Sequence, residues 1–366
     1  MEGKRLRVAI AHGDTNGIGY ETIFKTFAAT EMLEMCTPVI YGSPKIAAYH
    51  RNALGIQANF SIISKTQDTL EGRLNLLTCF ENDVKVDLGT PTKESEESGY
   101  KALVRAAADL QAGLIDAVVM APLEPAADSS HEPQVAFFAK QLNNSNSTLP
   151  ILISESIRVA TVTDRMALAD VAKNISKELI VTKAKVLHNS LKRDFRISNP
   201  RIAVLALNPK GKGKEEEESI KPAVKELAEQ SIQAFGPYAP EDFFGSGAYT
   251  EFDAVLAMYY DQGIIPFKTL TSDSNFIFVA GLPVVCCMPS TDPQYQNAGK
   301  GIADELPLRQ SIYMAIDAFR NRKNYDEPLA NPLPKLYKER RDESEKVRFS
   351  IPKKHENNVV ETEKEE

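Results

Sequence analysis

Four short segments carry the residue types from which a chemically active site could be built. Ala257-Met258-Tyr259-Tyr260-Asp261-Gln262-Gly263 closes an apolar run whose front end carries Asp253, and Lys268 follows shortly after. Ligands usually bind where polar residues stand at the carboxyl end of a strand in an α/β sheet. Asp253, Asp261 and Lys268, expected near one strand end, are therefore the first candidates. Asn208-Pro209-Lys210-Gly211-Lys212-Gly213-Lys214 puts three lysines on a glycine-rich loop that could meet a phosphate. It lacks the spacing of a P-loop, and a solvated loop neutralising Glu215–Glu218 is the competing reading. Gly13-Asp14-Thr15-Asn16-Gly17-Ile18-Gly19 serves either as a tight turn or as an anion site at a helix start. Its glycine spacing is not GxGxxG, so a dinucleotide fingerprint is excluded. The last segment, Ala298-Gly299-Lys300-Gly301-Ile302-Ala303-Asp304, is a loop-to-helix junction with no charge arrangement of its own.

Metal and redox chemistry have little to draw on. The chain has five histidines, at positions 12, 50, 131, 188 and 355, and four cysteines, Cys36, Cys79, Cys286 and Cys287, with no CxxC pair. Cys286 and Cys287 sit inside the apolar run Leu282–Met288, which reads as two reduced core thiols.

The elements that must hold these segments alternate in type. Strand-like runs are expected at Arg7–Ala11, Pro38–Tyr41, Phe60–Ile63, Leu74–Cys79, Val84–Leu88 and Leu114–Ala121, with a hairpin from Ile151–Ser154 and Arg158–Thr163. Further strands are expected at Arg201–Leu207, Ala254–Tyr259 and Pro283–Met288. Helical period marks Tyr20–Ala29, Pro44–Leu54, Glu94–Ala112, Leu168–Arg193, Glu215–Phe235 and Pro307–Arg322. This alternation indicates an α/β protein with a largely parallel sheet.

The 366 residues, of which 43% are hydrophobic and 25% charged, suit a soluble globular chain of two domains. A net charge of -7 argues against nucleic acid as a partner. No apolar run reaches the roughly 18 residues that span a bilayer, so no membrane partner is expected. The opening Met1-Glu2-Gly3-Lys4-Arg5 leads straight into a strand-like run without the features of a signal peptide, and the cytoplasm is the expected compartment. The segment from Lys335 to Glu366 is rich in balanced charge and is expected to be a disordered, solubilising tail.

Taken in order, GDTNGIGYE, IYGSPKIAAYHR, GLIDAVVMAPL, RVATVTDRMALADVA, NPRIAVLALNP, FDAVLAMYYDQG, AGLPVV and AGKGIAD resemble the PdxA family of 4-hydroxythreonine-4-phosphate dehydrogenases in vitamin B6 biosynthesis. The resemblance runs to about Asn331. It implies two α/β/α subdomains around a central cleft, akin to the isocitrate and isopropylmalate dehydrogenases, and an obligate homodimer. Residues 1–123 with 300–331 would form the first subdomain and 124–299 the second. It further implies NAD or NADP as cofactor and a divalent metal, held by three histidines, that polarises the substrate hydroxyl.

The chain departs from the family at those positions. Arg165, Lys210 and Tyr260 stand where the resemblance places the metal-binding histidines, and two obligate or near-obligate cations repel a metal rather than ligate it. A substrate-binding His-Thr pair falls on Gln134-Val135, a lysine on Pro125, a phosphate-binding arginine with Thr-Ser on Cys286-Cys287-Met288, and a cofactor-loop His-Gly-Thr-Ala on Thr291-Asp292-Pro293-Gln294. Asp253, Asp261, Gln262, Lys268 and the Gly299-Lys300-Gly301 turn, a candidate cofactor contact, are retained. The expectation is a degenerate paralogue, a pseudoenzyme with a binding or regulatory role and no bound metal. The alternatives are an active metal-dependent dehydrogenase acting on a phosphorylated hydroxy amino acid, and a protein that binds a phosphorylated or carboxylate anion through Arg165 and Lys210.

Overall fold

In a computed structural model, residues 5–331 are described apart from 81–83, 128, 144–147 and 272–273. The expected tail lies outside these residues. Met1–Asp326 form one unit and Glu327–Glu366 a second. Strands β1 (Arg7–Ala11), β2 (Thr37–Gly42), β3 (Phe60–Ile63), β4 (Leu74–Thr78), β5 (Ala117–Met120), β6 (Leu149–Ile153), β7 (Arg158–Thr161), β8 (Ile202–Leu205), β9 (Ala234–Tyr238), β10 (Ala254–Ala257), β11 (Phe276–Ala280) and β12 (Val285–Pro289) form one sheet. Their order is β3-β4-β2-β1-β5-β12-β11-β6-β7-β10-β8-β9. The β3-to-β12 block is parallel, as is the β7-to-β9 block, and β11 and β6 reverse direction between them. Strands β1, β2, β5, β8 and β10 bury nearly every side chain, as parallel strands covered on both faces must.

The covering helices are α1 (Gly19–Ala28), α2 (Met32–Met35), α3 (Pro44–Leu54), α4 (Lys93–Gln111), α5 (Gln134–Gln141), α6 (Leu168–Asn174), α7 (Lys177–Arg193), α8 (Lys221–Glu229), α9 (Pro240–Gly245), α10 (Tyr260–Leu270) and α11 (Leu306–Ala330). Among the described residues no helix is long and apolar enough to cross a membrane.

Several expected elements differ, each for a visible reason. The segment 84–88 is no strand, because its backbone turns to Asn16. The Asp87 amide donates to Asn16 Oδ1 at 2.9 Å, and the Gly89 amide to the Asn16 carbonyl at 3.0 Å. The long helical stretch at 168–193 breaks into α6 and α7, since the Ser176 side chain accepts from the Leu179 amide and starts a new helix. The stretch at 215–235 is a π turn at Glu216–Ile220 followed by α8. It ends at Ser231, whose φ of 60° turns the chain into β9. Strand β11 and helix α5 carried no alternating or long periodic signal. The hairpin forms as β6 and β7, and Cys286 and Cys287 are buried and unpaired in the core.

Candidate ligand-binding site

Parallel strands β7, β10 and β8 lie side by side. Arg165, Tyr260 and Lys210 therefore follow three neighbouring strand ends. Two of the three meet. The Arg165 guanidinium donates to Tyr260 Oη at 3.0 Å and stacks on the Tyr260 ring, 4.9 Å from its centroid. Its other arm donates to Glu124 Oε1 at 3.2 Å. Glu124 had no signal of its own in the sequence, because it sits on an irregular loop past β5 and is 41 residues from its partner. Lys210 turns away on a left-handed backbone with φ 59° and pairs with Glu241. That neighbour raises the lysine pKa above its usual value. Arg165 and Lys210, expected to face one ligand, each pair with a carboxylate of their own, and Lys210 is not among the residues lining the cavity beside Arg165.

A cavity of about 450 Å³ opens beside Arg165, lined by Asp164, Met166, Leu168, Val171, Tyr259, Tyr260 and Asp261. Its wall joins two carboxylates, one guanidinium and three apolar side chains. Asp253 does not share it. It precedes β10 while Asp261 follows that strand, and its carboxylate accepts from the Arg201 amide at 2.8 Å. The expectation of both carboxylates at one strand end fails because a strand of four residues stands between them. Gln262 is buried and bonded through both ends of its amide. The Met258 amide donates to its Oε1 at 2.7 Å, and its Nε2 donates to the Ala206 carbonyl at 2.7 Å, so it ties the end of β10 to the end of β8. Lys268 donates to the Ser290 carbonyl at 2.6 Å.

The donor set at 165, 210 and 260 does not fit a divalent transition metal. A guanidinium and an ammonium have no lone pair to give, and a phenol ligates only after losing a proton with a pKa near 10. Among the described residues no three His, Cys, Asp or Glu side chains gather as a metal site would need.

The two glycine-bearing loops are structural joints. In the first, the Gly17 amide donates to the Asp14 carbonyl and the Ile18 amide to the Pro293 carbonyl, so these amides are not offered to an anion. A Cβ on Gly13, at φ +78°, would stand 2.4 Å from the Pro122 carbonyl oxygen. Around this loop lie buried groups the sequence did not single out. His12 Nε2 meets Thr15 Oγ1 at 3.2 Å and His50 Nε2 meets the Thr15 carbonyl at 2.8 Å. Burial lowers both imidazoles to a pKa of about 4, so they are neutral. Burial likewise raises the Asp14 carboxyl, which accepts from Ser95 Oγ and Tyr295 Oη, each at 3.1 Å. In the second loop, Lys25 clamps the carbonyls of Gly301 and Ala303 at 2.9 and 2.7 Å, while Gly299, at φ +75°, backs onto Leu88. Gly299, Lys300 and Gly301 are absent from the lining of the Arg165 cavity.

The family described as pyridoxal phosphate biosynthetic protein PdxA matches this chain over residues 34–315. The 4-hydroxythreonine-4-phosphate dehydrogenase of Bacteroides thetaiotaomicron is 46% identical over 358 residues, covering 95% of this chain and 98% of the relative. That of Sulfurihydrogenibium sp. is 30% identical, covering 87% and 100%. The crystal structure of 4-hydroxythreonine-4-phosphate dehydrogenase from Klebsiella pneumoniae superposes with a TM-score of 0.73 at 23% identity, over 86% of this chain and all of that one, and it bears on the fold. The ordered motifs and these matches agree, and the chain belongs to the PdxA family.

Proposed function

We propose that this chain is a PdxA-family protein that binds a small ligand at the strand-end cavity without metal-dependent oxidation of 4-hydroxythreonine-4-phosphate. The supporting observation is the Arg165–Tyr260–Glu124 cluster. It puts a permanent cation, already satisfied, where the resemblance calls for a metal ligand. The resemblance also calls for NAD or NADP, but Thr291-Asp292-Pro293-Gln294 replaces the expected cofactor run, and the Pro293 carbonyl is engaged by the Ile18 amide. The reading includes a homodimer, a cytoplasmic setting, and a division into residues 1–123 with 300–331 and residues 124–299.

The test is an NAD- and NADP-linked assay on 4-hydroxythreonine-4-phosphate with zinc, magnesium or manganese supplied, beside metal analysis of the dialysed protein. The expected result is no turnover and metal well below one equivalent per chain. Turnover that disappears with chelator overturns the proposal. One observation favours the competing reading of an active dehydrogenase: Asp164 and Asp261 line the same cavity and are the oxygen ligands a hard ion takes. The magnesium and manganese arms of the assay decide between the two. Light scattering should give twice the 40.4 kDa chain mass.

A further inference from the structure

A second cavity, of about 310 Å³, lies between α5, α7 and the adjoining ends of β6 and β7. That volume is at the small end of ligand sites. Lys183 projects into it from α7, and among the described residues the one hydrogen bond of its ammonium goes to the Thr148 carbonyl at 2.9 Å. An ammonium has three donors, so two N–H directions remain for another acceptor. Asp164, held by accepting the Arg165 amide at 2.8 Å, lies on the same wall. The two charges feel each other without closing an ion pair. Burial lowers the Lys183 pKa, and the Asp164 carboxylate partly offsets that.

Two opposite charges in the lining of one small cavity, not paired with each other, describe the outline of a zwitterion. Val135 and Ala139 from α5 and Leu149 from β6 give the lining an aliphatic part, beside the hydroxyl-bearing Thr148 and Thr161. At the rim, Lys140 and Glu132 pair with each other at 3.0 Å and add no net charge. Among the described residues the other lining cation, Lys140, is thus already paired. We propose that this cavity binds a neutral aliphatic amino acid, with its carboxylate on Lys183, its ammonium on Asp164 and its side chain against Val135, Ala139 and Leu149.

Calorimetric titration of the full chain with L-leucine tests this, with 4-methylpentanoate (no ammonium) and isopentylamine (no carboxylate) as controls. Saturable binding at one site per chain is expected, at least about tenfold tighter than for either control. Lys183→Met and Asp164→Asn should each weaken it by about tenfold or more. A readout on the unaltered protein accompanies the variants. At limiting acetic anhydride Lys183 should acetylate ahead of the exposed lysines, because its lowered pKa leaves more free amine, and L-leucine should protect it. Failure of L-leucine to bind saturably overturns the proposal. So does binding of 4-methylpentanoate as tight as that of leucine, or acetylation of Lys183 that leucine leaves unchanged. None of these outcomes depends on metal or on NAD(P)-linked turnover.

Discussion

At the residue scale, fixed positions are set by close approach and by buried hydrogen bonds. Gly13→Ala should destabilise the fold by about 3 kcal/mol, because the added methyl meets a backbone oxygen while φ stays positive. Gly113 is the control. Its φ is +67° but nothing lies within 4 Å of a Cβ there, so Gly113→Asn should cost about 1 kcal/mol or less. Urea denaturation of both variants measures the difference. Gln262→Leu should cost about 2–3 kcal/mol, since it strands the Met258 amide and the Ala206 carbonyl in the core. The sequence marked Gln262 only through the family motif. Its structural task is invisible there, because one of its partners is 56 residues away. The same limit hid Glu124, whereas Arg165 and Tyr260 were marked by the family resemblance, and Tyr260 also by the polar segment that closes the apolar run of β10.

At the element scale, the helices are tied to one another by a few buried contacts. Arg322 of α11 reaches Asp194, just past the end of α7, at 2.5 Å, with side chains 8% and 3% exposed. Ser190 Oγ also donates to Asp194, at 2.6 Å. Arg322→Met should therefore cost about 3–5 kcal/mol, because it leaves the buried Asp194 charge without the cation bonded to it. Adding Asp194→Asn should recover part of that loss, and a double-mutant cycle in urea checks it. Most elements were readable from period alone, such as α4 with its Thr92–Ser95 capping box. The exceptions have local causes. Asn16 captured the backbone of 84–88, and β11 is an unbroken apolar run whose pairing with β6 and β12 only the assembled sheet decides.

At the scale of the whole molecule, neutral buried histidines set an acid limit. The unfolded chain protonates His12 and His50 near pH 6.5, while the folded chain holds each at about 4. Between those values the unfolded state binds more protons. Stability is therefore complete above pH 6.5 and falls as the pH drops towards 4. Each histidine should contribute about 3 kcal/mol to that loss. Denaturant midpoints across this range should show the slope, and His50→Gln should flatten it.

The place of β12 beside β5 has a consequence during synthesis. Val285 pairs with Ala117, a separation of 285 minus 117, or 168 residues. At ordinary ribosomal speed that interval lasts roughly 10–30 s. Throughout it, the run Ala117-Val118-Val119-Met120, fully buried in the finished fold, presents an unpaired edge. An apolar strand edge left open is a template for other chains. Nascent chains of this protein should therefore need chaperone cover over that window, and a fragment ending at residue 284 should accumulate as aggregate where the full chain stays in solution. Separating pellet from supernatant after parallel expression of the two reads the result directly.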